Sequence, residues 1–221
     1  MTTNIADVQG TPEVRERIVT AARDLFAERG LDGVSMRGVA ERVGVTATAL
    51  YHYFDNKEAL ISEVVESGFR EFGRYLERAA REHPSGSLER VRALGEAYVR
   101  FALDHHAYFR VLFSMQRPAP KGIEELPEGG GYELFRQAVA DAIAAGAIRR
   151  ADPDLVVMYL WSVVHGLVTI ALTCRFDESS DCEGPNLPAD PVELLHAFGP
   201  FIGAGISGAV SPSPSDNGGN T

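Results

Sequence analysis

Between Pro12 and Gly30 the apolar residues fall at Val14, Ile18, Ala21, Ala22, Leu25 and Phe26. That i, i+4, i+7 spacing lines one face of an α-helix over about 12–29, with Pro12 suited to its first turn and Gly30 to its stop. The same period recurs along most of the chain. Ser35 can cap a short second helix over about 36–43, Gly44 interrupts it, and Thr46 can cap a third over about 47–53. Asp55 or Asn56 caps a long fourth helix, about 56–82, whose stripe is Leu60, Ile61, Val64, Val65, Phe69, Phe72 and Leu76. Further helices are predicted over about 87–105, 107–116, 132–146, 153–174 and 191–207, with loops rich in Pro, Gly and acidic residues at about 117–131 and 177–190. No stretch shows a convincing two-residue strand period. The pattern predicts an all-α protein of about nine helices, with loose, polar ends at residues 1–10 and 211–221.

One predicted helix has to be weighed against a membrane span. Leu155 to Cys174 is 20 residues without a formal charge, and at about 1.5 Å per residue it could span roughly 30 Å. Ser162, His165, Gly166, Thr169 and Thr173 interrupt it, and neither flank carries a basic cluster. A helix buried on more than one side is expected instead, with no membrane involved. It is apolar on more faces than one monomer needs. Together with the last helix it is therefore expected to form a four-helix interface with a two-fold mate.

The chain has 221 residues, of which 45% are hydrophobic and 24% charged, ordinary values for a globular protein. A net charge of −10 argues mildly against nucleic-acid binding, but the charge is uneven. Residues 1–57 hold 7 basic and 8 acidic side chains, and residues 58–221 hold 14 and 23. A nearly neutral front can bind DNA if its few cations face one way, with modest non-specific affinity. Cys174 and Cys182 match no metal or redox spacing, and the first residues do not read as a signal peptide, so a cytoplasmic location is expected. His105 and His106 are adjacent, so on a helix they point about 100° apart and chelate one ion poorly. No metal or cofactor is expected. Nor is an enzyme, since no Ser-His-Asp, paired-carboxylate or phosphate-loop arrangement stands out.

The informative segment is residues 35–60, SMRGVAERVGVTATALYHYFDNKEAL. Two short helices flank Gly44, which accepts the positive φ of a tight turn, while the small Ala40 lets the helices cross closely. Val39, Val43, Val45, Leu50 and Phe54 can form the small core that fixes their angle. The chain here reads Leu25-Phe26-Ala-Glu-Arg-Gly30, then Ala40-Glu-Arg-Val-Gly44-Val45, then Leu50-Tyr51-His52-Tyr53-Phe54-Asp-Asn-Lys57-Glu-Ala-Leu60.

In order and spacing, these three pieces resemble the N-terminal pattern of the TetR family of transcriptional regulators over about 50 residues. Trp161-Ser-Val-Val-His165-Gly166 is similar to the Trp-His-Gly signature of one C-terminal subgroup of that family. The resemblance implies a helix-turn-helix DNA-binding head over residues 11–57 and a helical regulatory, ligand-binding and dimerisation body over 58–210. It places Ser35 and Arg37 against phosphates, Thr46, Ala47, Thr48, Tyr51 and His52 in the major groove or on its rim, and Lys57 on phosphate. The sequence departs from the pattern in having no Arg or Lys between Val45 and Phe54, a Gly38 inside the second helix, and the bulkier Val43. Specificity is then expected from apolar and hydroxyl contacts and from DNA shape.

The aromatic residues Phe72, Tyr98, Phe101, Phe109, Phe113, Phe135 and Trp161, with His165, are core by default but could line a ligand pocket between helices. The expected function is a ligand-responsive repressor that binds a near-palindromic double-stranded operator as a homodimer and is released by a small apolar effector. The alternative is a helical ligand- or partner-binding module that has lost specific DNA binding, suggested by the acidic charge and the uncharged third helix.

Overall fold

The computed structural model describes residues 12–113, 131–173, 188 and 190–206. The two cysteines, the ends 1–10 and 211–221, and most of the two long loops lie outside these residues. Among the described residues there are nine α-helices and no strand. They are α1 (Pro12–Arg29), α2 (Met36–Val43), α3 (Ala47–Tyr51), α4 (Lys57–Arg81), α5 (Leu88–Asp104), α6 (His106–Leu112), α7 (Tyr132–Ala144), α8 (Pro153–Thr173) and α9 (Pro191–Ile206).

Local chemistry sets the ends. The expected third helix is two residues longer than α3. The amides of His52 and Tyr53 reach back only three residues, to the Ala49 and Leu50 carbonyls at 3.2 and 3.0 Å, so the last turn tightens and the helix stops, with Phe54 buried after it. Asn56 then caps α4 by accepting from the Ala59 amide at 2.8 Å. At the end of α7, Gly146 takes φ 77° and the chain closes back onto Ala142 and Ile143.

The chain packs as two compact units, residues 1–79 with 97–134 and residues 80–96 with 135–221. In the first, α1 is central, with α2 and α6 against it and Ile18 and Ala22 fully buried. A carboxylate ties α1 to α4: Arg15 donates to Glu63 at 2.6 Å, and Arg70 donates to its other oxygen at 3.0 Å. These two guanidiniums hold the Glu63 carboxyl at about 2, well below its ordinary value, with the hydrogen bond from Arg15 the largest cause. The Arg15 guanidinium is shifted up by the same hydrogen bond.

In the second unit α8 packs against α9, and the Arg149 amide donates to the Ile206 carbonyl at 2.9 Å. The buried side of α8 is Val156, Val157, Leu160, Val164, Leu167 and Val168. By length and composition α8 could cross a membrane, and it is only partly covered. The expectation of a helix buried on more than one side is therefore not met within one chain. Leu155 is 68% exposed, and Met158, Tyr159, Ile170 and Leu172 are also open, as is Phe201 of α9 at 76%.

Candidate nucleic-acid interface

Two capped helices and one left-handed glycine build the helix pair at residues 35–51. Ser35 has extended backbone, and its hydroxyl accepts from the Gly38 amide at 3.1 Å, capping α2. Gly44 ends α2 at φ 78°, its amide donating to Ala40 at 3.0 Å while the Val45 amide also reaches Ala40 at 3.0 Å. Thr46 caps α3 by accepting from the Ala49 amide at 3.1 Å. Val39, Ala40, Val43, Ala49, Leu50 and Phe54 are buried beneath the pair. The half-buried Val45 completes the expected small core. Two arginines join the pair to its neighbours. Arg17 of α1 donates to the Val43 carbonyl at 2.7 Å, where the negative end of α2 favours a cation. Arg42 makes a two-pronged bond to Glu28 at 2.7 and 2.9 Å.

On this frame Ser35, Arg37, Thr46, Ala47, Thr48, Tyr51 and His52 are all exposed, and Tyr51 is 51% accessible although aromatic. Tyr53 is half-buried. The structure adds detail about the charges that sequence could not supply. Lys57 is half-buried and its ammonium donates to the Leu31 carbonyl at 2.6 Å, joining the start of α4 to the turn after α1. Arg37 is paired with Glu41 at 3.0 Å, both of them open to solvent. A phosphate approaching Arg37 has to compete with that carboxylate, a weak competitor at an exposed site. Gly38 has a local reason too, since a Cβ there would stand 3.1 Å from the Ser35 hydroxyl that caps the helix.

The eight aromatic and histidine candidates for a ligand pocket fall in different units. Phe72, Tyr98, Phe101, Phe109 and Phe113 belong to the first unit, where they pack on one another. Ring centroids are 5.3 Å apart for Phe72–Tyr98, 5.0 Å for Phe72–Phe101, 6.0 Å for Tyr98–Phe109 and 4.9 Å for Phe109–Phe113. Phe135, Trp161 and His165 belong to the second. Trp161 and His165 meet edge to face at 6.3 Å, and burial pushes the His165 imidazole below its ordinary value. Phe135 lines a cleft of about 600 Å3 with Leu160, Val164, Leu195, Ile202 and Ile206. Of the pocket candidates read from the sequence only Phe135 lines this cleft, because its other walls come from residues spread over α5, α8 and α9. Among the described residues no group of three or more His, Cys, Asp or Glu could hold a metal ion.

A capped helix pair presenting its short second helix, fused to a larger helical body, defines a helix-turn-helix regulator. Comparison with known proteins agrees. Residues 18–64 match the family model described as bacterial regulatory proteins, tetR family, and residues 91–184 match that of the tetracyclin repressor-like C-terminal domain. The chain is 38% identical over 76 residues to the HTH-type transcriptional repressor KstR2 of Rhodococcus jostii, covering 34% of this chain and 37% of that protein. It is 26% identical over 157 residues to KstR2 of Mycolicibacterium smegmatis, covering 66% and 73%. The matched part spans less than half the length of the first of these relatives. The solved structure of a protein of unknown function from Rhodococcus sp. RHA1 superimposes with a TM-score of 0.72 at 27% identity, over 91% of this chain and 99% of that one. The two matched models together take in more than half of the residues, and the chain belongs to the tetR family of bacterial regulatory proteins.

Proposed function

We propose that this protein is a ligand-responsive transcriptional repressor that binds a near-palindromic operator as a homodimer and releases it when an apolar effector binds. The observation that carries the reading is the capped α2–α3 pair, with Thr46, Ala47, Thr48, Tyr51 and His52 exposed together on and beside α3. A Thr methyl or Ala can pack on a thymine methyl, and Thr and Tyr hydroxyls can donate to phosphate. Ser35, Arg37 and Lys57 flank this surface and serve as phosphate contacts. The related KstR2 proteins are named as transcriptional repressors, which supports the sign.

In this reading residues 11–57 are the DNA-binding head and residues 58–210 the regulatory body, with a C-terminal part of the Trp-His-Gly type marked by Trp161, His165 and Gly166. The protein works in the cytoplasm. The exposed apolar side of α8 with Phe201 of α9 forms the dimer interface, and a two-fold dimer sets two heads on two half-sites. The coupling element is α4, which runs from Lys57 in the head to Phe72 in the aromatic cluster, within one compact unit. A ligand that favours a different head position shifts the population away from the DNA-binding state.

Selection of bound sequences from a random DNA library by the purified protein tests this. A near-palindrome is the expected product. Recovery of no sequence by folded, dimeric protein would favour a ligand- or partner-binding module that keeps only the architecture of the head.

A further inference from the structure

The cleft in the second unit has the size and lining of a binding site, and its rim carries one uncommitted charge. Its volume of about 600 Å3 lies within the range of small-molecule sites. The walls are apolar, with Val91, Leu160, Val164, Leu195 and Ile206 buried behind it. The glycines keep it open. A Cβ at Gly95 would only touch Val164 and Leu195, at 3.6 and 3.8 Å, and one at Gly199 would meet nothing within 4 Å.

Arg92, Glu96 and His196 also line the cleft, and the exposure of Arg92 and His196 puts them on its solvent side. Arg92 and Glu96 are four residues apart on α5, the spacing at which they would ordinarily pair. Glu96 is instead taken by the His196 ring nitrogen of α9 at 2.7 Å. Among the described residues Arg92 is left without an ion-pair partner. A guanidinium at the mouth of an apolar cleft suits a carboxylate carried on a hydrocarbon body.

We propose that the cleft between α5, α8 and α9 binds a mostly hydrocarbon carboxylate, with its apolar body against Leu160, Val164 and Leu195 and its carboxylate on Arg92. The proposal deepens the reading of an effector-responsive repressor by naming a site and a ligand class. It rests on that reading only for the consequence of binding.

The test is isothermal titration of the purified full chain with dodecanoate and with dodecan-1-ol, both kept below their aggregation concentrations. Dodecanoate is expected to bind. Arg92→Gln should weaken it roughly tenfold, the cost of one charge-assisted hydrogen bond, and leave the alcohol unchanged. Two substitutions in the lining, Gly199→Leu on α9 and Leu88→Trp on α5, should abolish binding of both while circular dichroism and oligomeric state stay as in the wild type. Dodecanoate binding that survives both blockers would place the ligand elsewhere and overturn the proposal. So would absence of binding, or conversion to monomer by Gly199→Leu, which would make the cleft part of a subunit interface. If dodecanoate binds as expected but leaves operator affinity unchanged, the site stands and the effector mechanism through it fails.

Discussion

At the scale of single residues, the head depends on a few atoms that do different work. Tyr51 is 51% exposed, unusual for an aromatic side chain, and in the proposed reading that exposed ring and hydroxyl meet DNA. Tyr51→Ala is expected to lower operator affinity roughly tenfold in a gel-shift titration while changing folding stability by less than about 0.5 kcal/mol. Glycines at two turns separate conformation from space. Gly44 has φ 78° with open space around it, so Gly44→Ala should cost about 1–2 kcal/mol in urea unfolding. At Gly33 a Cβ would fall on the Arg29 side chain and 2.7 Å from the Arg29 carbonyl oxygen, so Gly33→Ala should cost more than Gly44→Ala by the same assay. Glu63 gives a pH signature. Its folded value near 2 lies below the ordinary 4.5, so its stabilisation is complete above about pH 4.5 and is lost as pH falls towards 2. Glu63→Gln should cost about 1–2 kcal/mol at pH 7, after allowing for solvent screening. The gap from the wild type should close over that acid window in chemical unfolding.

At the scale of elements, α3 shows how little of a helix local sequence can hold. It has five residues, far below the length at which a helix stands alone in water. It persists because Thr46 caps it, Leu50 is fully buried beneath it and Gly44 aims the chain into it. Thr46→Ala should therefore lower stability by about 1 kcal/mol, whereas Thr46→Ser, which keeps the hydroxyl, should stay within a few tenths, both read from thermal or urea unfolding. The caps at Ser35 and Thr46 and the stop at Gly44 were legible in the sequence, because capping depends on side chains within three residues. The end of α3 was less so. Tyr53 continues the apolar-aromatic pattern, and only the tightened bonds of His52 and Tyr53 to carbonyls three residues back show that the helix has already stopped. Lys57 illustrates the same limit. Its placement at the start of α4 followed from spacing, but its hydrogen bond to Leu31, 26 residues away, needed the fold.

At the scale of the whole molecule, one side of α8 stays exposed and apolar among the described residues. Leu155, Met158, Tyr159 and Ile170, with Phe201 of α9, leave in water the apolar area that another surface is expected to cover. Leu155→Glu with Phe201→Glu is expected to convert the proposed dimer to monomer in sedimentation velocity and, by removing the second half-site contact, to weaken operator binding by more than tenfold. The sequence by itself determined the helical class, the register of the head and the surplus of apolar faces on α8. Periodicity, caps and turn glycines act over at most a few helical turns, and all three can be read from neighbours in the chain. What only the tertiary structure decided is how distant segments share space. The residues read as one pocket set divide into a self-packed cluster in one unit and, in the other, Phe135 and the Trp161–His165 pair. Arg42 is committed to Glu28, and Glu63 is shared by two arginines. An apolar cleft opens where α5, α7, α8 and α9 meet. Each depends on packing between residues far apart in the chain, and no local pattern of hydrophobic and polar positions encodes which of them will meet.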